Sequence, residues 1–286
     1  MATTFTNFAT LTLGDESVVS NTVTGQIETT VSVSKNALAD TYEADGQIVY
    51  AVSIVNAGTT ALTDVTLSDD LGAYEWNGTS LQPLDYVEGS LLYYADGVLQ
   101  PEPTVSTDSG LVISGLTVPA SGSALIIYAA APNAYAPLET DASITNTVTV
   151  GSSGCETTAE ETVTASSSPQ LSILKAISPA SVVSGDEITY TFTLQNAGNT
   201  AVLDTDNAVV ADTFSPALSN ICVTLNGTAL TEGSDYTYDE GTGVFTTIAG
   251  AISIPAASFT QDETTGEWSA TPGQSILVVT GTITSC

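Results

Sequence analysis

Val31-Ser-Val-Ser-Lys35 and Leu171-Ser-Ile-Leu-Lys175 read as two versions of one strand. Alternation places Val31, Val33 and Lys35 on one side and Ser32 and Ser34 on the other, and Leu171, Ile173 and Lys175 repeat the arrangement. Working outward, Ile48-Val-Tyr50 falls on Ile188-Thr-Tyr190, and Asn56-Ala-Gly58 falls on Asn196-Ala-Gly198. All three pairs share a spacing of 140 residues (175 − 35, 190 − 50, 198 − 58). Leu67-Ser-Asp69 meets Val210-Ala-Asp212 at 143, and Ser123-Ala-Leu-Ile-Ile127 meets Ser275-Ile-Leu-Val-Val279. Short alternating strands, repeated once and punctuated by Asn-Ala-Gly, Asp-Gly and Pro/Gly turns, predict an all-β chain of two Greek-key sandwiches.

Composition narrows what such a chain can do. At 286 residues it has room for two domains, and 42% hydrophobic content lets each bury a core despite a net charge of −30. There is no His and no Arg, and the two lysines are the whole cationic inventory. Nothing here neutralises phosphates, so nucleic acid is excluded as a partner, and so is an anionic membrane surface. Without His the chain lacks the commonest general base and metal ligand, so neither a turnover enzyme nor a cofactor or metal site is expected. Asp204, Asp206 and Asn207 could be read as calcium ligands but read more simply as a solvated loop. No stretch is long and apolar enough to insert into a membrane, and no charged secretory leader opens the chain. Cys155, Cys222 and Cys286 have no metal-type spacing and are the disulfide candidates, with Cys286 pairing to Cys222 or to Cys155 of a neighbour.

The succession of a strand ending in Lys, then x-Ile-x-Tyr, then Asn-Ala-Gly, an Asp-containing strand and a Thr-Asn-Thr-Val-Thr strand resembles a repeat of bacterial and archaeal surface proteins. That family is catalogued as the eleventh domain of unknown function. The resemblance spans about residues 30 to 286 as two copies and implies immunoglobulin-like domains in surface stalks or layers. With the repeat, this divides the chain into an N-terminal extension outside the resemblance that carries a donor strand (1–27), a complete domain (28–150), a linker (151–169) and a second domain (170–286). Domain 1 is expected to close with Ile144-Thr-Asn-Thr-Val-Thr-Val150, whereas no such strand follows Thr280. Its counterpart is Val19-Ser-Asn-Thr-Val-Thr24, ahead of domain 1. Val19, Asn21 and Val23 would then fill the open edge of domain 2 in the next subunit by strand addition. The ten residues from Thr24 to Lys35 span too little for the strand to fold back past domain 1. Head-to-tail donation that does not close makes a filament.

Alternation also turns polar groups inward. Lys35, Asp69 and Asn146 share apolar faces in domain 1, as do Lys175 and Asp212 in domain 2, with donor Asn21. Buried charges are costly unless paired. Burial lowers a lysine pKa and raises that of an aspartate, giving an amine nucleophile and a proton donor. Gram-positive pilin domains of similar architecture use this trio for a spontaneous Lys–Asn isopeptide bond. The resemblance implies Lys35–Asn146 within a chain, Lys175–Asn21 between chains, and Asp69 and Asp212 as proton shuttles. The competing reading is a buried Lys–Asp ion pair with a hydrogen-bonded Asn. Asn56 and Asn196 are rival acceptors that read more simply as turn residues. The functional expectation is an extracellular self-polymerising fibre, as in a pilus or spore appendage; the alternatives are a monomeric adhesin or stalk module and a surface hydrolase.

Overall fold

Alternating Thr, Val and Ile with no helical period fold here into strands alone. The computed structural model describes residues 3–27, 30–152 and 155–284, and it is all-β apart from a single 3-10 turn at Asp204–Asp206 among those residues. The first strands are β1 (Thr3–Asn7), β2 (Thr10–Leu13), β3 (Glu16–Val19) and β4 (Val23–Ile27). They pair only with one another, β1 with β4 and β2 with β3. They form successive stretches of one hairpin, which turns at Gly14, in the left-handed region at φ 60°.

The chain divides into two compact units, Met1–Asn133 with Ile144–Val163, and Ala134–Ser143 with Thr164–Cys286. Unit 1 carries β5 (Val31–Ala37), β6 (Thr41–Tyr42), β7 (Ile48–Asn56), β8 (Leu62–Asp69), β9 (Tyr74–Trp76), β10 (Thr79–Leu81) and β11 (Leu84–Tyr86). It continues with β12 (Leu92–Ala95), β13 (Val98–Leu99), β14 (Thr104–Ser106), β15 (Leu111–Val118), β16 (Gly122–Pro132), β17 (Ser143–Ser152) and β18 (Cys155–Ala165). One sheet runs β13-β12-β16-β7-β5 and the other β14-β15-β8-β17-β18-β6. Alternate residues of β7 (Ile48, Tyr50, Val52, Ile54) meet Ile126 and Tyr128 of β16, Val65 and Leu67 of β8 and Leu111 and Ile113 of β15 in a solvent-free core. Each such side chain contributes about 1.5–3 kcal/mol by leaving water.

Unit 2 carries β19 (Leu171–Ser178), β20 (Glu187–Asn196), β21 (Ala211–Thr213), β22 (Leu218–Leu225) and β23 (Thr228–Ala229). They are followed by β24 (Tyr236–Asp239), β25 (Val244–Thr247), β26 (Ser258–Gln261), β27 (Trp268–Thr271) and β28 (Gly273–Ile283). Its larger sheet, β19-β20-β28-β22-β23, repeats β5-β7-β16-β12-β13 of unit 1. The second sheet is only β21-β25-β24, matching β8-β15-β14. Phe192, Leu194, Phe214, Phe245, Leu277 and Val279 fill the core.

Three expectations from the sequence need correction. The Gly-Ser stretch read as a linker over 151–169 is not one: Cys155–Ala165 forms β18, between β17 and β6. Its inward residues Val163 and Ala165 are buried, while Glu156, Thr158, Glu160, Thr162 and Thr164 face water and give the stretch its linker-like composition. The connector is residues 166–170, and domain 1 closes with a hairpin, not with the single strand 144–150. Second, Val19–Thr24 is not one strand. Val19 ends β3, Val23 opens β4, and between them Ser20 exchanges hydrogen bonds with Ala9 (2.8 and 2.9 Å). The pairing shifts register there, from Leu11 opposite Val18 to Asn7 opposite Val23. Third, Ile126 lies opposite Val52 and Leu277 opposite Phe192, so Ile126 and Leu277 are the equivalent residues. The alignment starting at Ser123 and Ser275 is one residue out, enough to turn every side chain to the wrong face.

Candidate functional site

In unit 1 the two sheets meet around a charge. Lys35 on β5 is buried and reaches across the sandwich to Asp69 at the end of β8, Nζ to Oδ2 2.5 Å. The Tyr128 hydroxyl, from β16, donates to the same carboxylate oxygen. The other oxygen accepts from the Leu71 amide at 2.9 Å. The ammonium stands over the Tyr50 ring, 4.7 Å from its centroid, and 6.0 Å from that of Tyr128. Burial, the largest influence, pulls the Lys35 pKa below its ordinary value, and Asp69 opposes that pull.

Asn146 enters from β17, whose register sets Val148 opposite Asp69 and so brings Asn146 to the diagonal position on the same inner face. It is fully buried. Its carbonyl oxygen accepts from the Gly72 amide at 3.3 Å, and its amide nitrogen has no hydrogen-bond partner. The Tyr50 hydroxyl is likewise buried and short of hydrogen-bond geometry with any partner. Asn146 lies close enough to favour ionisation of Tyr50 and Tyr128, but desolvation dominates and pushes both phenols above their ordinary range. Glu161, on the inward face of β18, adds a negative potential that favours the Lys35 ammonium. The sequence reading passed over Tyr50, Tyr128 and Glu161. The two tyrosines share the inward parity of the core on β7 and β16, which marks them as available; Glu161 was hidden inside the supposed linker.

Unit 2 holds the same pair in the open. Lys175 on β19 bonds to Asp212 on β21, with the two side chains 41% and 19% exposed. The ammonium again stands 4.7 Å from a tyrosine centroid, Tyr190, and 5.4 Å from those of Phe192 and Phe214. In unit 1 a Lys, an Asp and an Asn point into the core; in unit 2 the Lys and Asp are partly exposed in the single chain, and the Asn expected beside them belongs to a second copy. No described strand lies on the free side of β21, and every residue of β19 is exposed. Asn21 is exposed on the N-terminal hairpin, as are Val19 and Val23.

The rival asparagines clamp turns. Asn56 bonds Thr60 and Pro119 carbonyls (2.9 and 3.0 Å) and accepts from Gly58, and Asn196 does the same with Thr200, Pro255 and Gly198. Around the 3-10 turn the acids bond the local backbone, Asp206 accepting from Leu203 and Asp204 from Thr205. Among the described residues no group of three or more His, Cys, Asp or Glu could hold a metal ion. Cys222 is a free, exposed thiol on β22; the Cys155 side chain and Cys286 lie outside the described residues. No described helix is long and apolar enough to cross a membrane.

No protein-family model matches the chain, and no curated relative does. Among solved structures it is similar to BcpA, the major pilin subunit of Bacillus cereus, at 12% identity and a TM-score of 0.38, covering 94% of this chain and 73% of that one. It is similar to the pilus backbone RrgB of Streptococcus pneumoniae at 11% identity and TM-score 0.35, covering 85% of this chain and 55% of that one. A collagen-binding domain of a Staphylococcus aureus adhesin matches 48% of this chain and 99% of its own length, at 12% identity and TM-score 0.30. Likenesses this distant carry no argument about what the chain does, which rests on its own residues.

Proposed function

We propose that the protein is the structural subunit of an extracellular filament, joined head-to-tail by strand addition from the N-terminal segment of one copy to unit 2 of the next. The observation that carries this is the contrast between the units: one lysine–aspartate pair is sealed beneath β17 and β18, while its repeat stands exposed beside an open strand edge. A mostly exposed chain of strands at the N-terminus supplies what an open edge recruits.

In unit 1 the same reading makes the cluster a self-acylating site. Neutral Lys35 Nζ attacks the Asn146 side-chain carbonyl carbon, and the Gly72 amide steadies the developing oxyanion. Asp69 takes the proton from Nζ and delivers it to the departing amide nitrogen. One C–N bond forms, one breaks, and ammonia leaves. Desolvation of Lys35 and the unpartnered Asn146 amide nitrogen favour this course. The test is denaturing electrophoresis and intact mass on the purified 286-residue chain, with electron microscopy for fibres. The expected results are fibres, a reductant-resistant ladder, and monomer short by one ammonia. Monomers at full mass that form no fibres would return the protein to the class of stalk modules.

A further inference from the structure

Unit 1 shows what completes one of these sandwiches, and it is a hairpin. Beyond β8 lie β17, then β18, then β6; beyond β21 no described strand lies. A cover for unit 2 built in the same way would therefore be two-stranded. A single donated strand would leave β19 as bare as it is now, because the inward side of β18 is what stands over the Lys35 side of the core.

A matching hairpin exists in the chain. Phe5-Thr-Asn7 repeats Ile144-Thr-Asn146, and Thr10-Leu11 repeats Thr149-Val150, both at a spacing of 139. Thr22-Val-Thr24 repeats Thr162-Val-Thr164, and Gly25 stands for Ala165, at 140. That is the spacing that relates Lys35 to Lys175, so residues 4–25 precede β5 just as β17 and β18 precede β19. The order of the repeat is hairpin, then sandwich, and the second hairpin completes the sandwich before it. The first arm carries Phe5, Asn7, Ala9, Leu11 and Leu13 on one face, which is the β17 pattern of apolar residues around one asparagine.

Both surfaces are exposed and apolar. Phe5, Leu11 and Val23 are 51%, 75% and 57% exposed on the hairpin, and Leu171, Ile173 and Ile177 are 55%, 54% and 46% exposed along β19.

We infer that residues 4–25 of a second copy of this chain enter unit 2 as a two-armed hairpin, taking the places of β17 and β18 and setting Asn7 beside Lys175 and Asp212. This rests on the filament reading above and departs from the expectation of the sequence in the donor: two arms in place of one strand, and Asn7 in place of Asn21. The acylation is the same, with Lys175 Nζ bonding to the Asn7 side-chain carbonyl carbon, Asp212 relaying the proton, and ammonia leaving. From Asn7 to Val23 the first hairpin is one residue shorter than from Asn146 to Val163. Its arms therefore re-register on entry, and Thr6, opposite Thr24 in the free hairpin, moves toward Thr22 as Thr145 meets Thr162.

The experiment compares the full chain with Asn7→Ala, Asn21→Ala, a chain lacking residues 1–25, and a chain in which residues 3–27 are moved behind residue 284 on a flexible Gly/Ser linker. Sedimentation reads assembly, denaturing electrophoresis reads covalent linkage, and an amine-acylating reagent with mass mapping reads the exposure of Lys175. Asn21→Ala should assemble and form a ladder as the parent does, while Asn7→Ala should assemble without the ladder. The relocated hairpin should give a monomer in which Lys175 no longer reacts with the reagent, and with Asn7→Ala added to it Lys175 should be acylated about tenfold more slowly than in the deleted chain, because burial leaves only local opening as a route to it. A ladder lost in Asn21→Ala and kept in Asn7→Ala would overturn the hairpin assignment and leave strand donation standing. Lys175 as reactive in the relocated chain as in the deleted one would overturn it even if no ladder forms. A parent that stays monomeric, with Lys175 protected in the relocated chain, would support the hairpin fit and sink the filament reading alone.

Discussion

Lys35 and Lys175 differ by position in the fold and by little else, since each stands over a tyrosine at 4.7 Å and bonds an aspartate. Buried, Lys35 is held by a pair that cannot be halved cheaply. In an Asn146→Ala background, where no amide can form, Lys35→Met should cost unit 1 about 3–5 kcal/mol by stranding Asp69, with Lys35→Met/Asp69→Leu recovering much of it in denaturant unfolding. A surface pair such as Lys175–Asp212 is worth far less, so Lys175→Met should barely move the monomer's stability. The buried phenols predict an alkaline limit. Tyr50 and Tyr128 keep their protons in the folded state above the ordinary value of 10.0, whereas the unfolded chain releases them there. Their contribution is complete below about pH 10 and is lost as pH rises further. As a free amine, in Asn146→Ala, Lys35 works the other way: its folded value lies below the ordinary 10.5, so its contribution grows as pH climbs toward that value. Melting of unit 1 should therefore fall above about pH 10, with the two phenolates appearing late in an ultraviolet titration. Phe substitution of Tyr128 should flatten the fall.

At the scale of elements, β18 decides which lysine is hidden. Val163 and Ala165 are buried from its inner face, and Glu161 projects a charge toward the cluster. Val163→Asp should therefore open unit 1, adding an unpaired buried carboxylate at a cost of several kcal/mol and, where Asn146→Ala leaves the amine free, making Lys35 acylatable. Glu161→Gln is the subtler probe. Removing that charge shifts Lys35 toward its neutral amine, so the loss of one ammonia from monomer mass should be complete sooner after synthesis. A rate unaffected by Glu161→Gln would mean that the charge does not reach the reacting nitrogen. β19, with its inner and outer residues alike exposed, should exchange its amide hydrogens far faster than β5 in monomer.

For the whole molecule the governing quantity is a net charge of −30, with two cations to offset it. In the proposed filament, copies approaching end to end repel one another over roughly a Debye length, about 30 Å at 0.01 M salt and 8 Å at physiological strength. Assembly should thus accelerate steeply with added salt, while the stability of unit 1 changes little, since its pair is sealed from solvent. Light scattering against ionic strength checks the first, and thermal melting the second. Assembly that slowed with salt would mean that an ionic contact, and not apolar strand addition, joins the copies.

Alternation alone determined that the chain is all-β, that it is repeated, and that Lys35, Asp69 and Asn146 face inward, because a strand's period of two assigns each residue to a face without reference to anything distant. The repeat likewise marked Lys175 and Asp212 as their counterparts. What alternation cannot give is the neighbour of a strand. A Thr- and Glu-rich outer face made Cys155–Ala165 look like a linker, and only its pairing between β17 and β6 revealed a wall of the sandwich. Val19–Thr24 looked like one strand until its hydrogen bonds to Ala9 and its register split it in two. Burial of Lys35 and exposure of Lys175 were undecidable from their near-identical strands, since desolvation is set by what covers a side chain, and the cover lies more than a hundred residues away in sequence.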